Sequence, residues 1–425
     1  MNSIKSFALI AKMVTVLLAS ILLSASSCSD DNSTSSEGGQ QQEGLKEIVI
    51  NTPDNQAIKS KDSWIDGSEI RIIDEDGDVE FSGTTMIKGH GNVNWYEAPK
   101  KAYAIKFARK EALLGLPKGK TWVLLGNWYD KTLLKTDIAF YMGREMSLLD
   151  YTPRCEFVKL SINGENLGIY QLVEKLRITE GRVNDGNDGF LLEIDAKSSR
   201  DKDITFRTPH LEQPVNIKDP DITADSEDYQ YIKDYVIAAE EALYADNFTD
   251  ETEGYRRFLD VESFVEWYII NEIAKNNDAA FYSSCYMHLK RGGKLEMGPL
   301  WDFDWAFGGT ILNNNDKPEG FWIGKAASWY VRLFKDPAFA SRVRSRFMEY
   351  YLNREMIYDR IDLKANELAK QINENNSKWG TIGSNTADKQ KIIDAYLEKV
   401  ENLKEWIETR MEWIKDNIGS DYGFI

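Results

Sequence analysis

NEIAKNNDAAFYSSCYMHLKRGGKLEMGPLWDFDWAFGG, residues 271–309, is the stretch that decides how the chain is organised. Apolar residues at helical spacing lead into it and predict a helix from Val261 to Asn276. Asp278 follows in a short loop, and then come two strand-like runs joined by a Gly-Gly hairpin signal. The second run leads to Asp302 and Asp304. The predicted order is therefore helix, loop carboxylate, hairpin and a pair of carboxylates.

The rest of the chain divides into a β-rich first half and a helical second half. Short alternating strands occupy residues 45–195, and the clearest hairpin turns at Asn163-Gly164. Residues 74–78 are rich in carboxylates but lack the Gly and Glu that a calcium loop needs, so they predict another hairpin turn. Helical periodicity is found at residues 132–147, 229–244, 261–276, 330–352, 356–375 and 387–418. This order is typical of the α+β class.

The first residues have the pattern of an export signal. Lys5 and Lys12 precede a short apolar stretch, and small residues then lead to Cys28, similar to a bacterial lipobox. We expect residues 1–27 to be a lipoprotein signal peptide and Cys28 to be lipidated. An ordinary signal peptide with an incidental cysteine is the alternative, because the usual Leu three residues before the Cys is missing.

Residues 28–44 are rich in Ser, Gly, Gln and Asp and predict a flexible tether. The acidic residues directly after Cys28 resemble the tag of lipoproteins sent to the cell surface in some Gram-negative bacteria. We therefore expect an exported lipoprotein of the outer membrane that is exposed at the cell surface.

Composition narrows the class of partner. The chain is 42% apolar and 28% charged, as in ordinary globular proteins, and its formal net charge is −17. Such an acidic surface disfavours binding to nucleic acids and anionic lipids, and we therefore expect membrane contact only through the lipid anchor. We also expect the protein to be a monomer. Cys155 and Cys285 lack metal-type spacing, and the sequence leaves open whether they pair.

A glycine-rich turn and a lysine-bearing strand lie in the first half. Gly89, Gly91 and Asn92 follow a strand, and glycines let backbone amides approach phosphate oxygens closely. Residues 99–107 alternate as a strand, and Ala104-Ile105-Lys106 matches the end of the kinase V-A-I-K strand. The alternative is a surface lysine on an edge strand.

These segments together resemble the CotH-like kinase family, a secreted group of atypical protein kinases. The resemblance covers residues 45–415, and residues 298–308 carry its most specific string. The matching segments are 88–95, 100–107, 114–119, 163–174, 298–308 and 406–410.

The resemblance implies a fold and an activity. The fold would be a two-lobed, kinase-like α+β domain, with a small lobe at about 45–195 and a large lobe at about 196–415. The activity would be transfer of the γ-phosphoryl group of ATP to a hydroxyl of a protein substrate, with Mg²⁺ or Mn²⁺. The sequence does not identify that substrate.

The resemblance also implies roles for individual residues. Asp278 would be the catalytic-loop carboxylate, Asp302 the catalytic metal-binding carboxylate and Asp304 a second metal ligand. Two carboxylates that are two residues apart in an extended segment point to the same side and could share a metal. The predicted nucleotide-binding residues are Lys106, Lys101 as its substitute, Gly89, Gly91, Asn92 and Glu174. Glu145 or Asp137 would pair with the phosphate-binding lysine.

Three positions depart from the expected patterns. His90 stands where the family usually has Arg, Asn94 stands where Thr is usual, and Ser283 stands where protein kinases place a magnesium-binding Asn. These departures leave a pseudokinase open. Two other classes also remain: a glycan-binding or host-contact surface protein that uses its aromatic side chains, and a glycosidase with Asp278 and Asp302 as acid and base.

Overall fold

The computed structural model describes residues 44–183, 185–201, 203–383 and 387–418. The predicted signal peptide, Cys28 and all but the last residue of the predicted tether lie outside these ranges. Within them the α+β class is confirmed, because a β-rich half precedes a helical half.

Seven strands of the first half form a closed barrel, which the sequence analysis did not predict. Its strands are β1 (Glu47–Asn51), β2 (Ile65–Ile73), β3 (Val79–His90), β4 (Ala102–Glu111), β5 (Gly119–Leu125), β6 (Cys155–Ile162) and β7 (Glu165–Glu174). Neighbours are antiparallel in the order β1-β2-β3-β4-β5-β7-β6, and a parallel pairing of β6 with β1 closes the barrel, with Glu47 opposite Lys159. Closure gives every strand two partners, so no edge is left to pair with another chain.

The barrel core follows from alternation along each strand. Ile48, Ile70, Ile105 and Trp122 are among the buried side chains of one hydrophobic cluster. The predicted Asn163-Gly164 hairpin is confirmed, since it joins β6 to β7 with both residues at positive φ.

A second sheet has five strands in the order β12-β11-β8-β10-β9. Its strands are β8 (Gly189–Ile194), β9 (Ile204–Phe206), β10 (Val215–Asp219), β11 (Cys285–Lys290) and β12 (Leu295–Met297). The β11–β12 hairpin was predicted; β9 and β10 were not. Because β8 pairs with β10 and β11, this sheet crosses the predicted lobe boundary at residues 195 and 196.

Helices make up most of the second half. The helices are α1 (Val93–Tyr96), α2 (Lys135–Tyr141), α3 (Ser198–Asp201), α4 (Glu227–Tyr244), α5 (Val261–Ala274), α6 (Ile323–Ala326), α7 (Ser328–Leu333), α8 (Pro337–Leu352), α9 (Glu355–Ala369), α10 (Ile372–Trp379) and α11 (Lys389–Asn417). A π-helical turn, Met142–Met146, continues α2.

Two predicted helices are each divided in the structure. The predicted helix at 330–352 is broken at Asp336-Pro337, where the Asp carboxylate caps α8 and the Pro begins it. The predicted helix at 356–375 is interrupted between α9 and α10. The apolar stripe of α11 is core packing as predicted, with Tyr396 and Ile407 fully buried.

Cys155 and Cys285 are both buried free thiols, so they do not pair with each other. Among the residues that the structure describes, no helix is both long and apolar enough to span a membrane.

Candidate functional site

A cavity of about 370 Å³ lies where one end of the barrel faces the second sheet. Ala102 at the start of β4 and Leu125 at the end of β5 line it from the barrel, and Glu193 of β8 and Lys218 of β10 line it from the sheet. Six predicted site residues line it as well: Gly89, Gly91, Asn92, Asp278, Asp302 and Asp304. The fold thus brings the glycine-rich turn and the three carboxylates to one place, although they are far apart in the sequence.

Asp278 is placed by the end of α5. Lys275 takes a left-handed conformation (φ +45°) that stops the helix, and the carbonyl of Asp278 then accepts a hydrogen bond from the Tyr282 amide at 3.0 Å. Asn277 Nδ2 donates to Asp278 Oδ1 at 3.0 Å. Burial raises the pKa of Asp278, while the hydrogen bond from Asn277 and the charge of Lys197 oppose that rise.

Asp302 is held in an uncommon backbone conformation, with φ at +62°. Ser284 Oγ donates to Asp302 Oδ2 at 3.3 Å, and Asn276 Nδ2 donates to its backbone carbonyl at 3.2 Å. Burial raises the pKa of Asp302 well above its usual value, and the nearby charges of Asp304 and Asp278 add to the shift. Backbone strain of this kind is concentrated at functional sites.

Asp304 connects the carboxylates to the glycine-rich turn. Asn94, in α1 just after that turn, donates from Nδ2 to Asp304 Oδ2 at 3.2 Å. Burial raises the pKa of Asp304, and the ammonium of Lys135 opposes the rise. Asn94, which stands where the family usually has Thr, therefore contacts this carboxylate directly.

Asp302 and Asp304 are the possible metal ligands of the cavity. Over the described ranges, no group of three or more His, Cys, Asp or Glu side chains is arranged to hold a metal ion. Mg²⁺ commonly takes only one or two carboxylates and completes its shell with water and phosphate oxygens. Asp302 and Asp304 offer hard oxygen donors, and a cation would relieve the repulsion that raises the pKa of Asp302. Their chemistry therefore fits a divalent ion shared with a phosphate ligand.

Lysine side chains and His90 line another part of the same cavity. Lys88 and His90 come from β3, Lys175 follows β7, and Lys218 comes from β10. Burial lowers the pKa of His90 well below its usual value, and the charges of Lys175, Lys88, Lys61 and Lys218 lower it further. The chain is acidic overall, yet this wall favours an anion.

Lys106 is not at the cavity. The alternation predicted for β4 is correct: Ile105 and Phe107 are buried in the barrel, and Lys106 lies on the opposite face, exposed. Ala102 is the residue of that face that lines the cavity, and Lys106 is four residues further along the strand, about 13 Å away. The motif match thus selected the correct face of β4 but a position too far from the cavity.

Lys101 and Glu174 also lie outside the cavity lining. Lys101 Nζ donates to the backbone carbonyl of Trp95 at 2.7 Å. Glu174 is fully buried and accepts hydrogen bonds from the Tyr151 hydroxyl at 3.1 Å and the Arg154 amide at 2.8 Å. These contacts hold backbone and loop segments together.

A different structural constraint explains each residue of the glycine-rich turn. A Cβ on Gly89 would lie 2.5 Å from Trp95, so this glycine makes room for the indole. Gly91 has φ +83°, a conformation that favours glycine. Asn92 Oδ1 accepts a hydrogen bond from Lys61 Nζ at 2.7 Å.

Neither candidate partner for the phosphate-binding lysine lines the cavity. Asp137 is buried in an ion pair with Arg360 of α9 at 2.7 Å, and Glu145 lies in the π-helical turn. The lysine–glutamate pair that does line the cavity is Lys218 with Glu193, at 3.1 Å.

Sequence reasoning missed Glu193, Asp195, Lys175 and Lys218. Asp195 is buried, lines the cavity and accepts from Ser283 Oγ at 2.7 Å. The sequence did contain a signal for Asp195, because two carboxylates lie at the end of the apolar run of residues 190–195. Lys218 lies on β10, whose sequence alternates as a short strand does, a signal that the sequence analysis overlooked.

Residues 87–414 match the profile of a family described as CotH kinase protein. The chain belongs to the CotH kinase protein family. The matched region begins within β3 and ends within α11, so it includes every carboxylate and lysine of the cavity named above except Lys61. This CotH-family chain is also similar to the inner spore coat protein H of Bacillus subtilis (strain 168), with 23% identity over 216 residues. That similarity covers 50% of this chain and 56% of the relative.

Proposed function

We propose that this CotH-family protein is an atypical protein kinase that transfers the γ-phosphoryl group of ATP to a protein hydroxyl in the presence of Mg²⁺ or Mn²⁺. The barrel would serve as the small lobe of a kinase-like arrangement, and the second sheet with the helices as the large lobe. The observation that carries the proposal is one cavity in which buried carboxylates lie near a lysine-rich wall. A triphosphate with a divalent ion is a ligand that needs both kinds of group.

The carboxylates would divide the work. Asp302 and Asp304 would hold the metal, which neutralises charge on the phosphate oxygens when it is bound. Asp278 would orient the acceptor hydroxyl and accept its proton. Asp278 is suited to this role because a side-chain amide holds one of its oxygens in place.

The lysines would bind the phosphates. Lys218 takes the role that the sequence analysis gave to Lys106, because it lines the cavity and pairs with Glu193 at 3.1 Å. Lys88 and Lys175 line the cavity from the barrel side and would add positive charge. Phosphoryl transfer depends mainly on positioning and electrostatic stabilisation, which fixed charges of this kind supply.

The rival classes receive less support from the geometry. The tryptophans of the described ranges are buried or only partly exposed, and Trp301 and Trp305 line the cavity together with charged side chains. A neutral glycan also gives no reason for the lysine-rich wall. A pseudokinase, which binds the nucleotide without transfer, differs from the proposal only in activity.

The experiment is incorporation of labelled phosphate from ATP by the purified mature domain with Mg²⁺ or Mn²⁺. Incorporation is expected in the wild type, to be lost in Asp278→Asn and Asp302→Asn, and to fall strongly in Lys218→Met. Lys106→Met is the matched control, since this lysine is exposed and distant from the cavity. Nucleotide binding without incorporation under either metal would establish the pseudokinase instead.

The cellular location belongs to the same proposal. We propose that the protein is exported and attached to the outer membrane through a lipid on Cys28. Replacing Cys28 by Ser is expected to release the protein from the membrane fraction, and retention there would refute the anchor.

A further inference from the structure

Three consecutive residues after α5 contact three different segments at and beside the cavity. Lys275 Nζ donates to the backbone carbonyls of Asn314, Lys317 and Glu319 at 3.0, 2.9 and 2.6 Å. Asn276 Nδ2 donates to the carbonyl of Asp302. Asn277 then contacts Asp278, so this short segment joins the carboxylates to the loop at residues 310–319, hereafter the 310–319 loop.

Two neighbouring amides set the orientation of Asn277. Its Oδ1 accepts from Asn313 Nδ2 at 2.9 Å and from Asn315 Nδ2 at 3.3 Å. With those two amides oriented as they are in the structure, turning the Asn277 amide over would place its NH₂ group against two other NH₂ groups. The two amides of the 310–319 loop therefore direct Asn277 Nδ2 towards Asp278 Oδ1.

The 310–319 loop is itself firmly held. Arg410 is fully buried and donates to the carbonyls of Pro318 and Gly320, each at 2.7 Å, beside the three carbonyls that Lys275 holds. Asn313 has φ +57°, a conformation that asparagine tolerates better than most residues. These contacts fix the end of the loop that directly follows Asn313, so they support the residue that contacts Asn277.

The hydrogen bond from Asn277 distinguishes the two oxygens of Asp278. Oδ1 is occupied by the amide, whereas no hydrogen bond from a described residue to Oδ2 is present. A carboxylate held by one oxygen presents the other in a defined direction, and effective transfer depends strongly on such alignment.

We propose that Asn277 is a positioning residue that fixes Asp278 for the acceptor hydroxyl, and that Asn313 of the 310–319 loop acts on Asp278 through Asn277. This inference rests on the proposed kinase function. It predicts that the rate of phosphoryl transfer depends on the 310–319 loop, although this loop does not line the cavity.

The test is steady-state kinetics with ATP and dephosphorylated casein as the acceptor. Asn277→Ala is expected to lower kcat roughly 10- to 100-fold, since small misplacements of reacting groups cost about that much, while the KM for ATP stays within about twofold. Asn277→Leu is the variant of similar shape: it fills the same space and adds no charge but cannot donate to Asp278. It should lose kcat to a similar extent and still fold.

A double-mutant cycle separates positioning from a general structural role. Asn313→Ala alone should lower kcat several-fold, and it should have no further effect in the Asn277→Ala background if it acts through Asn277. Unchanged kcat in Asn277→Leu, or additive losses in the double variant, would overturn the inference while leaving the kinase proposal intact. A wild type without ATP-dependent incorporation would overturn both.

Discussion

Replacing Asp302 by Asn is expected to stabilise the ligand-free protein and to remove its response to metal and nucleotide. Asp302 is buried, and its pKa lies well above the usual value because of that burial, with Asp304 and Asp278 adding repulsion. Asparagine has nearly the same shape and no charge, and its amide oxygen can still accept the hydrogen bond from Ser284. The substitution therefore removes an unfavourable buried charge without opening a cavity.

The expected gain is modest. Relieving such a site stabilises a protein by about 1–2 kcal/mol, as other single stabilising substitutions do. The entropy of unfolding, about 2.1 cal/mol/K per residue, amounts to roughly 0.8 kcal/mol/K for the folded part of a chain of this length. The melting temperature should therefore rise by about 1–3 °C.

The gain in stability from Asp302→Asn should increase as pH rises. Because the pKa of Asp302 is higher in the folded state than in the unfolded state, the native protein keeps a proton that the unfolded chain has lost. This carboxyl therefore makes wild-type stability fall as pH rises above about 4, towards the raised folded pKa. Asp302→Asn should show little advantage near pH 3 and its largest advantage near neutral pH or above.

The assay is thermal unfolding with and without Mg²⁺ and a non-hydrolysable ATP analogue. Ligand at about 100 times its dissociation constant stabilises the native state by about 2.7 kcal/mol, so the wild type should shift clearly and Asp302→Asn should not. Asp359→Asn, an exposed carboxylate on α9, is the matched control and should behave as wild type. A destabilised Asp302→Asn protein, or one that responds to the ligands like the wild type, would refute the reasoning.

Three further predictions concern the surroundings of the site. Lys218→Met should weaken ATP binding at least tenfold by calorimetry, whereas Lys106→Met should not change it, because only the first lysine lines the cavity. Burial raises the pKa of Glu296 to about 7, so stability should fall as pH rises from about 4.5 to 7, and Glu296→Gln should flatten that part of a pH series of melting temperatures. Gly89→Ala should destabilise the protein by about 1–3 kcal/mol in chemical denaturation, because the added methyl would overlap Trp95; a neutral effect would contradict this packing.

Local signals in the sequence predicted much of the fold. The Asn163-Gly164 turn, the hairpin before Asp302 and the helix at 261–276 all follow from short-range patterns, and the structure contains each of them. Barrel closure depends on the pairing of β1 with β6, which are more than a hundred residues apart. No local pattern encodes such a pairing, so the sequence alone predicted strands but not the barrel.

The same distinction explains the outcome at the site. The carboxylates Asp278, Asp302 and Asp304 were identified because their order along the chain is distinctive, and all three line the cavity. Lys106 does not line the cavity, because the direction in which a side chain faces can be read from alternation, whereas its distance along the strand from the cavity cannot. Lys218 lies on the second sheet, and only the pairing of β10 with β8 brings it beside Glu193.

The arrangement of charge in the cavity has a physical consequence for stability. Burial and the charges of Asp304 and Asp278 raise the pKa of Asp302, and burial next to lysines lowers the pKa of His90, so a further like charge is unfavourable at either wall. A protein selected for stability alone would have neutralised these walls with polar or apolar side chains. A ligand that brings negative phosphates to the lysines and a cation to the carboxylates would relieve both at once. A carboxylate whose buried charge is unfavourable would thus also bind the metal of a metal–nucleotide complex, which is why a stabilising loss of charge at Asp302 and a loss of ligand response should occur together.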